Sequence, residues 1–270
     1  MNLLYSIFMG ILQGATEFLP ISSSGHLVLA QILLDIEEAG LAFDVTLHMG
    51  TLLAIFVYFR KDFYLMIRAV LCFRDKSPEM KELRQMAFFI CVATVPAVIA
   101  AMLLGDIAET AFRQSWIVAI TLAAGGALLL WAEKRGAHNR DFRTITLSDA
   151  LFIGCAQAFA IIPGVSRSGI TMTAGLFTGL NRQAVARFSF LLSAPIILGA
   201  GVYKIPGIIK EGLAPGMMNF YLIGFLASAV SGYIFIAVLL RYIRTRTFDI
   251  FAYYRFFLAG IILLALALGW

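Results

Sequence analysis

The chain has 270 residues, 61% of them hydrophobic and only 14% charged, with a formal net charge of +5 and a mean hydropathy of +0.89. Soluble domains run to about 45–50% apolar and about 25% charged residues, so this composition excludes a water-soluble globule and leaves no polar stretch long enough for a separate domain. At roughly 20 apolar residues per crossing, lipid accommodates about six to eight spans.

The first apolar segment, about Leu3–Leu34, lacks a basic n-region and a small-residue cleavage site, which argues against a cleaved signal. Its middle reads Gln13-Gly-Ala-Thr-Glu17-Phe-Leu-Pro20-Ile-Ser22-Ser23-Ser24-Gly25-His26. Gln13 and Glu17, spaced i,i+4, share one helix face. Pro20 ends that helix, and three serines ahead of a new apolar run mark a second helix start. Phe43–Phe59, Ala87–Leu104 and Trp116–Trp131 then read as spans, with His48 placed to pair with Asp44 on one helix face. His138 falls in a basic loop, where it is expected to be solvated. A second broken segment, about Leu151–Leu180, contains Pro163-Gly164-Val165-Ser166-Arg167-Ser168-Gly169-Ile170-Thr171. Ala184–Tyr203, Phe220–Leu240 and Phe251–Leu268 complete six intact runs. Cys72, Cys91 and Cys155 are odd in number and lack metal-ligand spacing, so no disulfide framework is expected.

Sidedness follows from the cations. If the six intact runs alternate, 17 of the 21 Lys and Arg residues fall on one side. They lie in Arg60–Arg84, in Lys134–Arg143, at Arg182 and Arg187, and around the last loop at Arg241, Arg244, Arg246 and Arg255. The opposite loops hold Arg113, Lys204 and Lys210. Short loops rich in Lys and Arg stay cytoplasmic, and this bias, rather than nucleic-acid binding, explains the basic balance. The second broken segment then enters and leaves from inside. The first precedes an acidic loop, Asp35–Glu38, and dips in from outside. Irregular backbone at membrane depth requires burial in protein or a wet cavity, so both segments are expected to be re-entrant helix pairs lining one cavity.

The two broken segments also match each other. Gly10, Gln13, Ser22, Ser24 and Gly25 align with Gly154, Gln157, Ser166, Ser168 and Gly169 at a constant shift, and S-x-S-G falls at the break in both. The fold class expected is an all-α polytopic membrane protein: six transmembrane helices plus two re-entrant helix pairs in an inverted-topology repeat. The first repeat is 1–144 (re-entrant pair 3–34) and the second 145–270 (pair 150–180). Inverted repeats place their sites near the midplane, where discontinuous helices meet.

Free N–H groups, serine hydroxyls and the positive end of a helix dipole converge at each break, a combination that binds phosphate. Arg167 adds planar, bidentate recognition of phosphate oxygens. Charged groups at this depth are functional by default. Blander explanations remain at this stage: Glu17 and Arg167 as an ion pair joining the halves, the serines as plain helix caps, His26 as a satisfied polar group.

At these residues the chain resembles the undecaprenyl-diphosphate phosphatase family, the bacitracin-resistance type. The family's marks are (E/Q)-x-x-x-E leading into a Ser-rich turn with His, and P-G-x-S-R-S-x-x-T. The resemblance covers essentially the whole length, with Gln13 as the permitted alternative at the first position. It implies removal of the terminal phosphate of undecaprenyl diphosphate, recycling the carrier for peptidoglycan and conferring bacitracin resistance. It also implies a site open to the outer face of a bacterial plasma membrane. The expected catalytic residues are Glu17, Ser23, His26 and Arg167. Gln13, Ser22, Ser24, Gly25, Gly164, Ser166, Ser168, Gly169 and Thr171 are expected to bind substrate. A divalent cation, Mg²⁺ or Ca²⁺, is expected on Glu17. The partners are the lipid substrate and, as an option, a second copy of the chain. Ser23 as nucleophile with His26 or Glu17 as base, direct attack by His26, and water activated by Glu17 all remain open. So does a lipid or anion transporter built on the same site.

Overall fold

A computed structural model describes residues 3–34, 41–110, 112, 114–211 and 216–269. Eleven α-helices follow one another among them: α1 (Leu3–Phe18), α2 (Ser23–Leu34), α3 (Leu41–Tyr58), α4 (Arg60–Leu71), α5 (Pro78–Thr110), α6 (Ser115–Arg135), α7 (Leu147–Ala158), α8 (Arg167–Phe177), α9 (Arg182–Glu211), α10 (Met218–Tyr242) and α11 (Asp249–Ala267). The described residues form no strand, only an isolated bridge between Arg140 and Leu180. Six helices, α3, α5, α6, α9, α10 and α11, are long and apolar enough to cross a membrane. The protein is an all-α, multi-pass membrane protein. The acidic loop Asp35–Glu38 and Arg113 lie outside the described residues.

One element was not expected. The cationic stretch after the first span contains α4, which buries Met66 and Ala69 and leaves Tyr64, Ile67, Val70 and Leu71 exposed. Arg84 of α5 ties down its end by donating to the carbonyls of Ala69, Cys72 and Asp75.

The short first helix of each broken segment sits on a long helix from the other half of the chain. α1 runs parallel to α10: Ser6 Oγ donates to Phe220 O at 2.5 Å, and Ser231 Oγ donates to Gly10 O at 3.2 Å. A Cβ on Gly10 would stand 2.6 Å from Gly224 O, so small residues are what allow the backbones this close. α1 stops with the Phe18 ring against Gly232, partway along α10. α7 lies on α5 in the same manner. A Cβ on Gly154 would stand 2.5 Å from Ala93 O, and Gln157 Nε2 donates to that same carbonyl at 3.4 Å.

The basic ends of the long helices gather at one end of the bundle. Glu133, near the end of α6, accepts from Arg182 Nε at 2.6 Å and from the Phe248 N–H at 3.3 Å, and Arg187 pairs with Asp62. His138 belongs to this cluster rather than to solvent, its Nε2 bonded to Glu133 O at 2.8 Å. α7 starts from this end, where Thr146 and Asp149 form a capping box and Arg140 grips Asp149 through both oxygens at 3.1 and 2.6 Å. Burial pushes the Asp149 carboxyl up, but hydrogen bonds from Arg140 and Thr146 outweigh it and hold the group below the usual aspartate range. α1 starts from the opposite end, beside the first turns of α10. The two broken segments therefore enter the bundle from opposite ends.

Candidate active site

The two breaks have the same local build. α1 ends at Phe18 ahead of Pro20, which disfavours helical backbone before it. Ser22 follows at φ 72°, and its Oγ accepts from the Gly25 N–H at 3.3 Å. At the second break Ser166 sits at φ 68°, and its Oγ accepts from the Gly169 N–H at 3.1 Å. Both are serine N-caps. The hydroxyl pairs Ser22–Ser24 (3.1 Å) and Ser166–Ser168 (3.3 Å) repeat as well. A non-glycine residue held at positive φ costs of order 1–3 kcal/mol and persists where the surroundings over-determine it. Gly164, at φ +89°, packs so closely on Thr121 that a Cβ would overlap its Oγ1.

The breaks meet. Ser24 Oγ accepts from the Gly164 N–H at 3.2 Å, and Ser168 Oγ donates to Leu19 O at 2.9 Å. Between them lies Glu17, 8% exposed. Its Oε1 accepts from Arg167 Nη2 at 2.6 Å, and its Oε2 accepts from Gln13 Nε2 at 3.0 Å and Ser23 Oγ at 2.9 Å. Residues about 150 positions apart thus share one carboxylate. Because a carboxylate only accepts, Gln13 must turn its amide nitrogen toward it. That leaves Gln13 Oε1 buried and without a partner among the described residues.

The remaining expected residues take other positions. His26 is stacked on Tyr254, with ring centroids 5.5 Å apart. Its Nδ1 bonds Ser22 O at 2.7 Å and its Nε2 the Tyr254 hydroxyl at 2.8 Å. Nδ1 facing a carbonyl must carry the proton, so Nε2 accepts from Tyr254. Thr171 sits one turn into α8, buried, its hydroxyl engaged with Arg167 O at 2.8 Å and Ser189 Oγ at 2.7 Å. Gly25 packs on Leu122 of α6. His48 does bond Asp44, but through its main-chain oxygen at 2.8 Å, and its other nitrogen stands 4.0 Å from Glu17 Oε2.

Two residues of the last helix reach these turns with no signal in the sequence beyond their type. Tyr254 braces the first through His26. Arg255, grouped above with the basic loop, is fully buried, and donates to Gly164 O at 3.1 Å and Val165 O at 2.9 Å. It lies within α11, and its guanidinium reaches inward to the second break instead of outward to water.

A hydroxyl bonded to a carboxylate that is itself fixed by a third group is the arrangement of an activated nucleophile. Beside it, two helix starts and a guanidinium provide the donors an anionic substrate needs. Fold and site together define a polytopic membrane protein in which two broken helical segments meet around a buried carboxylate–guanidinium pair flanked by serine hydroxyls. The chain belongs to the family of the bacitracin resistance protein BacA, whose sequence profile matches residues 6–261. It is 43% identical over 265 residues to an undecaprenyl-diphosphatase of Rubrobacter xylanophilus, covering 97% of each chain. An undecaprenyl-diphosphatase of Trichlorobacter lovleyi is 46% identical over 269 residues, covering 98% of this chain and 97% of the relative. One from Pelotomaculum thermopropionicum is 44% identical over 268 residues, covering 99% and 97%.

Proposed function

We propose that the chain hydrolyses undecaprenyl diphosphate to undecaprenyl phosphate and inorganic phosphate. This returns the lipid carrier to peptidoglycan synthesis and confers bacitracin resistance by removing the lipid that bacitracin sequesters. One observation carries the chemistry: the Ser23 hydroxyl donates to Glu17 at 2.9 Å while Arg167, from the other half of the chain, holds the same carboxylate.

In this reading the terminal phosphate docks at the starts of α2 and α8 and draws Arg167 from Glu17 onto its own oxygens. Ser23 Oγ attacks the terminal phosphorus while Glu17 accepts the hydroxyl proton. The bond from that phosphorus to the bridging oxygen breaks, and Glu17 returns the proton to the departing undecaprenyl phosphate. Water, deprotonated by Glu17, then attacks the phosphoserine phosphorus; the bond from phosphorus to Ser23 Oγ breaks, inorganic phosphate leaves, and Glu17 passes its proton to Oγ to restore Ser23. Glu17 is favoured over His26 as the base because both imidazole nitrogens are already engaged, by Ser22 and Tyr254. The same engagement disfavours attack by His26.

A divalent cation fits this site in a limited way. Among the described residues no three His, Cys, Asp or Glu side chains converge, so the protein offers Glu17 and the unpartnered Gln13 Oε1. A hard cation accepts such oxygens, and Mg²⁺ commonly completes its shell with substrate phosphates and water. Bound there, it would neutralise charge on the diphosphate.

The matched serine caps, the matched seating of α1 on α10 and α7 on α5, and entry from opposite ends support an inverted repeat, 1–144 and 145–270. With the basic ends cytoplasmic, α1 enters from the outer side of a bacterial plasma membrane, and the site takes substrate from that side. Transport alone is not favoured, since it needs no hydroxyl bonded to a carboxylate. Phosphate release from undecaprenyl diphosphate by the purified protein, with and without chelator, tests the proposal. Absence of release under both conditions overturns it.

A further inference from the structure

The most deeply buried charge among the described residues takes no part in the steps above. Arg255 of α11 is fully excluded from solvent. Its partners there are main-chain carbonyls alone: Nε donates to Leu122 O at 3.1 Å, and Nη2 to Thr121 O, Gly164 O and Val165 O at 3.3, 3.1 and 2.9 Å. Nη1 is buried with no partner among the described residues. A guanidinium has five N–H donors and stays charged, and an uncompensated charge at this depth is costly. The fold nevertheless makes room for it with two glycines. A Cβ on Gly125 would overlap Nη2, and one on Gly169, in the first turn of α8, would stand 2.7 Å from Nη1.

Two of the carbonyls it holds, Gly164 O and Val165 O, belong to the turn that precedes α8; the other two, Thr121 O and Leu122 O, belong to α6. The chain has no cis peptide among the described residues, and in a trans peptide C=O and N–H point in opposite directions. Holding Val165 O on one side therefore turns the Ser166 N–H to the other. The N–H groups of Ser166, Arg167 and Ser168 find no acceptor among the described residues, whereas Gly169 N–H is capped. The Ser166 N–H therefore faces away from the side on which Arg255 holds Val165 O, and it is the first of three free donors at the start of α8, next to the Arg167 side chain that reaches Glu17.

We propose that Arg255 is a positioning residue for the phosphate-binding turn: it orients the Val165–Ser166 peptide so that the Ser166 N–H faces the anion, and its unpaired charge behind α8 is balanced by the bound diphosphate. The proposal rests on the phosphatase reading of the site. It explains why a buried arginine has no carboxylate partner of its own, since the substrate supplies the counter-charge.

The test is Arg255→Ala in detergent-purified full-length protein, assayed for phosphate release from undecaprenyl diphosphate. Loss of a preorganised donor lowers kcat by ~10²–10³-fold, with KM changing less. Added guanidinium chloride, but not sodium chloride at equal ionic strength, should restore a measurable part by refilling the vacated space. A folded Arg255→Ala protein with near-normal kcat overturns the proposal, as does a rate loss that guanidinium leaves unchanged. Gly125→Ala is the second variant, because its methyl displaces the guanidinium while leaving Arg255 in the chain. A folded Gly125→Ala protein with normal kcat overturns the proposal, and a reduced kcat supports it. Failure of both variants to give folded protein makes Arg255 a strut of the bundle and overturns it too. If wild-type protein releases no phosphate, the phosphatase reading fails by itself. Binding of a methylene-bridged diphosphate lipid to wild type and Arg255→Ala then decides Arg255 separately, with equal affinities overturning its role.

Discussion

Replacing Glu17 by Gln exchanges one oxygen for an NH2 group at the centre of three hydrogen bonds. The carboxylate accepts from Arg167 on one oxygen and from Gln13 and Ser23 on the other. An amide keeps one acceptor and presents two N–H donors, so whichever way it turns, an N–H faces a donor. Catalytically, the group that takes the Ser23 proton is gone. General-base removal costs ~10²–10⁴-fold, about 2.7–5.4 kcal/mol at 1.36 kcal/mol per decade. The fold loses a buried ion pair with Arg167 left unmatched, at about 3–5 kcal/mol if both groups were dry. Arg167 retains 14% side-chain exposure, which places the loss at the low end. The assay is steady-state phosphate release by Glu17→Gln, Ser23→Ala and the double variant, with thermal melts run alongside. If Ser23 and Glu17 act as a unit, the double variant is no slower than the slower single one. A Glu17→Gln enzyme within about tenfold of wild type, or rate losses that multiply in the double variant, would refute the assignment.

Arg167→Lys should lower kcat/KM by at least ~10²-fold, because a point charge lacks the planar fork that grips phosphate oxygens bidentately; phosphate release checks it. Gly14→Leu should abolish folded protein in detergent, measured by size-exclusion profile, since a Cβ there would lie 2.5 Å from Ser228 O and 2.6 Å from Gly232 N. Asp149→Asn should melt roughly 2–4 °C below wild type at neutral pH, the equivalent of about 1 kcal/mol for a pair whose arginine side chain is still 30% exposed. The Asp149 carboxyl is held below its ordinary value, so its stabilisation is complete above about pH 4 and is lost as pH falls through the lower folded value. The gap between the two melting curves should therefore close on acidification.

The spans were legible because lipid imposes a length and a polarity on each, and six runs met both. The breaks were legible for the complementary reason: Pro20, the serines and Glu17 are costly at membrane depth and have no packing excuse. Arg167 was identified by the same reasoning, and the structure places it 2.6 Å from Glu17. What sequence did not reveal depends on which helices touch. An arginine in the second turn of a span looks like any cation near a membrane surface, and only the packing of α11 on α6 brings Arg255 to the Gly164 carbonyl. Tyr254 was hidden likewise, and His48, read as a partner of Asp44 on its own helix, gave no sign that it also faces Glu17. α4 was obscured because its cations fit the topology rule so well that its apolar face went unread.

The seating of α1 on α10 sets an order of events during synthesis. Ser6 and Phe220, which join their two ends, are 214 positions apart. At 5–20 residues per second, α1 leaves the ribosome roughly 10–40 s before its berth exists. Throughout that interval a sixteen-residue helix carrying Gln13 and Glu17 must be sheltered by something else, such as the insertion machinery or a provisional neighbour. The nascent first half is therefore the species most exposed to quality control, and slowing translation before α10 should lower yield more than slowing it afterwards.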